Sequence, residues 1–358
     1  MKKLRDFLLK NFEVIRIIAA VFLAIAIIMI VIACVSSQPG DVLYWFTVGP
    51  LTSLRRFGTV IELMIPLCFC GIAWCMCFAV NKFNMAVEGS FFIAGTVTAA
   101  IALYTKLPGI LMPIAIILCA AVAGGTVTLI PAYIDEKYKA NIVVCGIMIN
   151  FVTLYIGRFF LIHYMKDPTF SYNGTPFFPD NAILTRFIKG TRIHTGVFIL
   201  LIAVVLIYIL LYKTKFGYDM RLSGQNPKFA RYSGINTRKS ILAAQFICGM
   251  LAGIGGAVEC MGIYQQLMWE TQLGYGFDGM LIAIIAKNNP LAVPFVSLLI
   301  SYIRAGGDLV NRMTDVPVEL VSVIQSLIVI FIAAKALLAG WKHLMLKRKS
   351  LEEKEAAK

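Results

Sequence analysis

LPGILMPIAIILCAAVAGGTVTLIPAYI, residues 107–134, runs for 28 residues without an Asp, Glu, Lys or Arg. A bilayer hydrocarbon core is about 30 Å thick and needs about 20 apolar residues in a helix. The stretch is long enough to cross. Backbone in lipid must satisfy its own hydrogen bonds, so it is read as helix. Charge-free runs of similar character stand at 17–40, 63–81, 89–105, 140–157, 193–212 and 240–258. Towards the end the pattern is more broken, with a short run at 279–286, a nearly sufficient one at 288–303, and a last one at 320–334. The expected fold is therefore all-α: a polytopic membrane bundle of about ten transmembrane helices, the eighth short.

Composition agrees. Hydrophobic residues make up 59% of the 358-residue chain and charged residues 15%, against about 45–50% and about 25% in soluble domains. Mean hydropathy is +0.81. No water-soluble fold buries that much apolar surface.

The net charge of +14 raises nucleic acid as a partner, but the placement of the basic residues argues against it. With the N-terminus in the cytoplasm and ten crossings, 21 Lys and Arg fall inside and 8 outside, with four more in or at the ends of spans. That asymmetry is the positive-inside signature, and it explains the charge without nucleic acid. It divides the chain into a cytoplasmic N-tail (1–14), a transmembrane domain (15–341) with a cytoplasmic loop at 213–239, and a basic C-tail (342–358), both termini being cytoplasmic.

The nine cysteines lie in or beside apolar runs and do not read as a secreted disulfide framework. Cys68, Cys70, Cys75 and Cys77 share one span, where C-x-C spacing points the thiols to different faces and suits small apolar filling better than zinc. Basic residues, an apolar run and Val31-Ile32-Ala33-Cys34 resemble a lipoprotein signal, but a 17-residue run is longer than a signal core of about 7–15 residues. It is read as a first span.

Two segments echo one another: FNMAVEGSFFIAG at 83–95 and GYGFDGMLIAIIA at 274–286. Each carries an acid–Gly pair, Glu88-Gly89 and Asp278-Gly279, leading into an apolar span. The offset of five spans would turn the copies in opposite directions, which is inverted-repeat character. Transporters built that way place solute at the repeat interface.

Intramembrane polar groups are costly and face a cavity or another helix. The candidates are Glu62, Asn84, Glu88, Asn150, Gln245, Glu259, Asp278, Arg304 and Gln325. Of these, Asn84, Glu88, Asn150, Glu259 and Asp278 are the candidates for lining a translocation path; the alternative is capping of helix ends and bonding between helices. Gly249, Gly253, Gly255 and Gly256 form a small-residue face suited to close helix packing, or to a moving joint. His163, His194 and His343 are scattered, and Asn173-Gly174-Thr175 is read as loop. No metal cluster, catalytic triad or paired-acid site appears, and no G-x-x-x-x-G-K-[ST] phosphate loop, so no enzyme site or bound cofactor is expected.

The most specific segment is GYDMRLSGQNPKFARYSGI, residues 217–235. Asn226 can cap a helix, Pro227 suits its first turn and Gly234 can end it. A short basic helix held between two spans is a docking element for a cytosolic partner, or else a solvated loop.

That string resembles the cytoplasmic loop of permease subunits of ABC importers for nucleosides and simple sugars, the ribose-permease-like superfamily, in the branch linked to basic-membrane-protein-type lipoproteins. The resemblance extends through residues 83–89, 141–150, 274–279, 287–291, 304–307 and 316–327, and covers roughly 60–335. Ile142, Ala86 and Ser90 depart from the family pattern, at places that touch solute choice. The resemblance implies a bacterial plasma-membrane permease paired with a second, non-identical permease. A cytosolic ABC ATPase would hydrolyse ATP, and an extracytoplasmic solute-binding lipoprotein would deliver a nucleoside or simple sugar. The ATPase would grip Gln225, Asn226, Pro227, Phe229, Ala230, Arg231, Tyr232 and Gly234. The alternative is a secondary transporter driven by an ion gradient.

Overall fold

The computed structural model describes residues 38–326 apart from 189, 318 and 324. The expected first span (17–40) and tenth span (320–334) fall mainly outside them, as do both tails and Cys34.

The described chain is helical. In order come α1 (Pro39–Thr47), α2 (Leu54–Ala79), α3 (Val87–Tyr104), α4 (Leu111–Tyr138) and α5 (Ile142–Phe160). Then follow α6 (Gly196–Lys213), α7 (Lys215–Gln225), α8 (Pro227–Tyr232), α9 (Thr237–Glu259), α10 (Tyr275–Ile285) and α11 (Val293–Met313). A π turn extends α5 through Leu161–Met165 and another extends α9 through Cys260–Tyr264.

Seven of the described helices are long and apolar enough to cross a membrane, and α10 is a shorter apolar helix. They coincide with the expected second to seventh and ninth spans, with α10 at the short eighth. Several run past the charge-free stretches. α2 starts at Leu54 because its helix continues through Arg55, Arg56 and Glu62. Counting from the first uncharged residue truncates such a helix. The protein is a multi-pass membrane protein with an all-α bundle fold.

Side-chain caps fix where helices begin. Ser53 accepts the Arg56 amide, Asn141 accepts Val143, Thr214 accepts Gly217 and Asn236 accepts Lys239. Each satisfies a backbone donor that the first turn leaves unpaired.

Contacts divide the chain into two compact units. In the larger, Ser53–Ser301, α9 packs along α4, α2 and α3. A Cβ added to Gly124 of α4 would stand 2.9 Å from the Gly253 Cα of α9, and one on Gly249 would meet the Gly124 backbone. The α9 glycines thus bring two backbones into contact, which is how small residues hold membrane helices together. The cysteines of α2 are buried, and the Cys77 Sγ lies 3.1 Å from the Cys248 Sγ. In the smaller unit, Met1–Thr52 with Tyr302–Lys358, the described core is Val42, Val310, Val316 and Val321 with Trp45, Phe46 and Leu320.

Candidate functional site

The two echoing segments meet. Glu88, in the first turn of α3, is buried. One of its carboxylate oxygens accepts the Gly274 amide at 2.7 Å and the other accepts the Gly276 amide at 2.5 Å. These amides belong to the start of α10, where backbone donors are unpaired and the helix dipole favours an anion. Trp74 of α2 donates its indole N–H to the Gly276 carbonyl at 2.7 Å. A Cβ on Gly276 would stand 2.6 Å from the Glu88 amide nitrogen and 2.7 Å from its Cα. No other residue admits that approach.

The start of α3 is bound in turn by Asn150, eight residues and about 12 Å along α5 from Ile142. Asn150 accepts the Gly89 amide at 2.8 Å and donates to the Met85 carbonyl at 2.9 Å. Asn84 accepts the Ala86 amide at 3.1 Å and donates to the Thr128 carbonyl at 2.8 Å and the Gln245 side chain at 3.0 Å. Thr128 donates to the Gln245 carbonyl at 2.7 Å. Gln245 donates to the Lys82 carbonyl at 3.3 Å, and the Lys82 ammonium pairs with Asp135 and Glu136 of α4. The structure thus brings Asn84, Glu88 and Asn150 into one network that ties α2, α3, α4, α5, α9 and α10 together.

Glu259 is the last residue of α9 and reaches the first residue of α10. It accepts the Tyr275 hydroxyl at 3.2 Å, and its second oxygen is buried with no hydrogen-bond partner among the described residues. Glu62 is also buried, lies within electrostatic reach of Glu259, and has Arg192 at 3.8 Å as its ion-pair partner. Phe91, Trp269, Tyr275 and Tyr264 pack ring against ring beside this pair. Asp278 occupies the first turn of α10, three residues beyond Tyr275. The segment after Tyr264 is not helical, yet Gln266, Leu267 and Trp269 are buried. Irregular backbone at such a position is tolerated where protein covers it.

The loop before α6 places His194, fully buried, against Gly196 and Gly262. Burial, and secondarily the charge of Arg186, lowers its pKa to about 4.

The second candidate region is the α7–α8 hairpin. The Asn226 side chain accepts the Phe229 amide at 3.1 Å, Pro227 opens α8, and Gly234 follows it at φ +80°. Ala230 is buried, whereas Phe229 is 54% and Tyr232 92% exposed. Gln225 is exposed at the end of α7. The Arg231 Nε donates to the Thr237 hydroxyl at 3.2 Å, stapling α8 to α9. A Cβ on Gly224 would stand 2.7 Å from the Val80 Cα, so α7 rests on the end of α2.

Sequence reasoning found this short helix but not α7, whose signal is the Thr214 cap. It also passed over Trp74, Gly276 and Tyr275. Their roles depend on partners about 16 to 200 residues away, and no local pattern marks them.

A family model described as the branched-chain amino acid transport system permease component matches residues 56–333. The nucleoside ABC transporter permease protein NupB of Lactococcus lactis subsp. cremoris is 27% identical over 326 residues, 87% of each chain. The guanosine ABC transporter permease protein NupP of Bacillus subtilis is 26% identical over 295 residues, 80% of this chain and 83% of its own. The glucose ABC transporter permease protein TsgB13 of Haloferax volcanii is 25% identical over 325 residues, 88% of this chain and 86% of its own.

Proposed function

This chain belongs to the family of branched-chain amino acid transport system permease components, and on that premise we propose that it is the permease subunit of an ABC importer for a nucleoside. Two relatives whose names specify a nucleoside or guanosine support the solute class. A simple sugar is the second choice, supported by the glucose permease relative.

The observation that carries the coupling reading is α8: a capped helix of six residues, stapled at Arg231, that holds two aromatic side chains out of the fold. A cytosolic ABC ATPase grips Phe229, Tyr232 and the neighbouring Gln225, Asn226, Pro227 and Gly234, while buried Ala230 seats α8 on the fold. Nucleotide-driven closure of the ATPase pushes α8. Because α7 rests on α2, that push reaches the Trp74–Gly276–Glu88 junction through packed helices. ATP is hydrolysed on the partner. The hairpin and both termini face the cytoplasm. A second, non-identical permease completes the path, since permease proteins NupC and NupQ, from the same two strains as NupB and NupP, also match this chain, over shorter stretches. An extracytoplasmic lipoprotein delivers solute. Within this chain the path runs beside Glu259 and Asp278, with Asn84, Glu88 and Asn150 holding its wall.

The test is uptake into proteoliposomes reconstituted with the permease pair, ATPase and lipoprotein. Labelled guanosine should enter only with ATP, and unlabelled guanosine should compete while glucose does not. Competition by glucose alone would transfer the reading to a sugar. Uptake without ATP that collapses when the ion gradient is dissipated would replace it with a secondary transporter.

A further inference from the structure

A cavity of about 310 Å³ opens between the ends of α2 and α6, the α7 helix and the turn after α10. Its wall includes Phe78, Asn81, Tyr212, Arg221, Gln225 and Asn288, and no carboxylate. The volume is at the lower end of ligand clefts.

Arg221 is the group that decides its chemistry. Its guanidinium lies 5.0 Å from the centre of the Tyr212 ring, a cation–π arrangement that holds the fork in place. Its Nε is buried with no hydrogen-bond partner, and Arg221 forms no salt bridge, in both cases among the described residues. A buried cationic donor without an acceptor is costly. A planar guanidinium fork matches a phosphate in two-pronged fashion. Lys213, Lys215 and Lys287 stand exposed at the ends of the same helices and make the surroundings positive. An anion is the ligand whose chemistry this donor fits.

The setting says which anion. α6 is a membrane span that leaves Leu201, Ile202, Val205 and Ile209 exposed, and this apolar face leads along the helix to Tyr212 and the cavity. Phosphate chemistry at the end of a lipid-facing helix is the chemistry of a phospholipid headgroup. Basic pockets between spans are known to take such groups. We propose that this cavity binds the phosphate of an anionic phospholipid, with Arg221 on the phosphate and the acyl chains along α6. Such a site requires only the membrane setting, and neither the solute nor the ATPase.

The experiment uses the purified full chain in phosphatidylcholine nanodiscs, with phosphatidylglycerol titrated in and bound lipid counted by native mass spectrometry. Phosphatidylglycerol should be retained at least tenfold more tightly than phosphatidylcholine. Arg221→Gln should remove that preference, and Arg221→Lys, which keeps the charge but loses the fork, should weaken it partly. Inorganic phosphate should bind at least tenfold more weakly than phosphatidylglycerol. The proposal is overturned by equal retention of the two lipids in the unmodified protein, which needs no variant to fold. It is also overturned by an unchanged preference in Arg221→Gln, or by inorganic phosphate binding as tightly as the lipid, which would mark a free-phosphate site.

Discussion

The carboxylate of Glu88 accepts the backbone amide of Gly276 at 2.5 Å across 188 residues of chain. It joins the start of one membrane helix to the start of another, and among the described residues it is the acceptor of both glycine donors. Hydrogen bonds to a charged group contribute about 1.5–3 kcal/mol each. With two such bonds, Glu88→Ala should lower stability by about 3–6 kcal/mol, and Glu88→Gln, which keeps one oxygen acceptor, by less. Thermal unfolding of the two variants in one detergent checks the order. Equal midpoints for Glu88→Ala and the unmodified protein would remove the junction from the account.

Gly276→Ala should be severe for a steric reason. The new methyl would meet the backbone of Glu88 at 2.6–2.7 Å, and backbone cannot swing away as a flexible side chain can. Gly40→Ala is the control, since nothing lies within 4 Å of its added Cβ. Expression and unfolding midpoint should fall for the first and stay within about 0.5 kcal/mol for the second.

Much of this was legible in the sequence, and the limits have physical causes. The spans could be read because lipid demands long apolar helices, so α3, α4 and α6 stood out from composition alone. The start of α2 was missed by nine residues because Glu62 interrupts a helix that is nonetheless continuous. The cap at Asn226 and the end at Gly234 could be read because capping is local chemistry. The echo of Glu88 and Asp278 was visible, but not that Glu88 reaches the strand of chain before Asp278. That contact depends on how four other helices, α2, α4, α5 and α9, pack around it. Asn84, Asn150 and Gln245 were recognisable as intramembrane amides, while the Thr128 and Met85 partners were not, because bonds to backbone carbonyls leave no sequence pattern.

The α8 surface should separate coupling from folding. Phe229→Ala and Tyr232→Ala remove exposed rings and should change stability by less than about 0.5 kcal/mol, yet lower solute-stimulated ATP hydrolysis of the assembled importer at least tenfold. Asn226→Ala removes the cap and should cost about 1 kcal/mol as well as activity. Full activity in Phe229→Ala with Tyr232→Ala would show that the ATPase grips elsewhere.

His194 gives a pH signature. It is held at a pKa of about 4 in the fold, against about 6.5 when unfolded. The unfolded chain thus takes up a proton between these values and the folded chain does not. Stability from this group is complete above pH 6.5 and is lost as pH falls towards 4. From pH 7.5 to 5.5 the loss should be about 1.4 kcal/mol. His194→Gln should flatten that part of the profile of midpoint against pH. The same slope in the variant would assign the effect to other groups.

Cysteine-directed crosslinking at position 232 tests the central claim most directly. In inverted vesicles, Tyr232→Cys should crosslink to the ABC ATPase, with a yield that changes between nucleotide-free and ATP-bound conditions, and should resist impermeant maleimide added to intact cells. Labelling from outside intact cells, with no crosslink to the ATPase in either nucleotide condition, would contradict it.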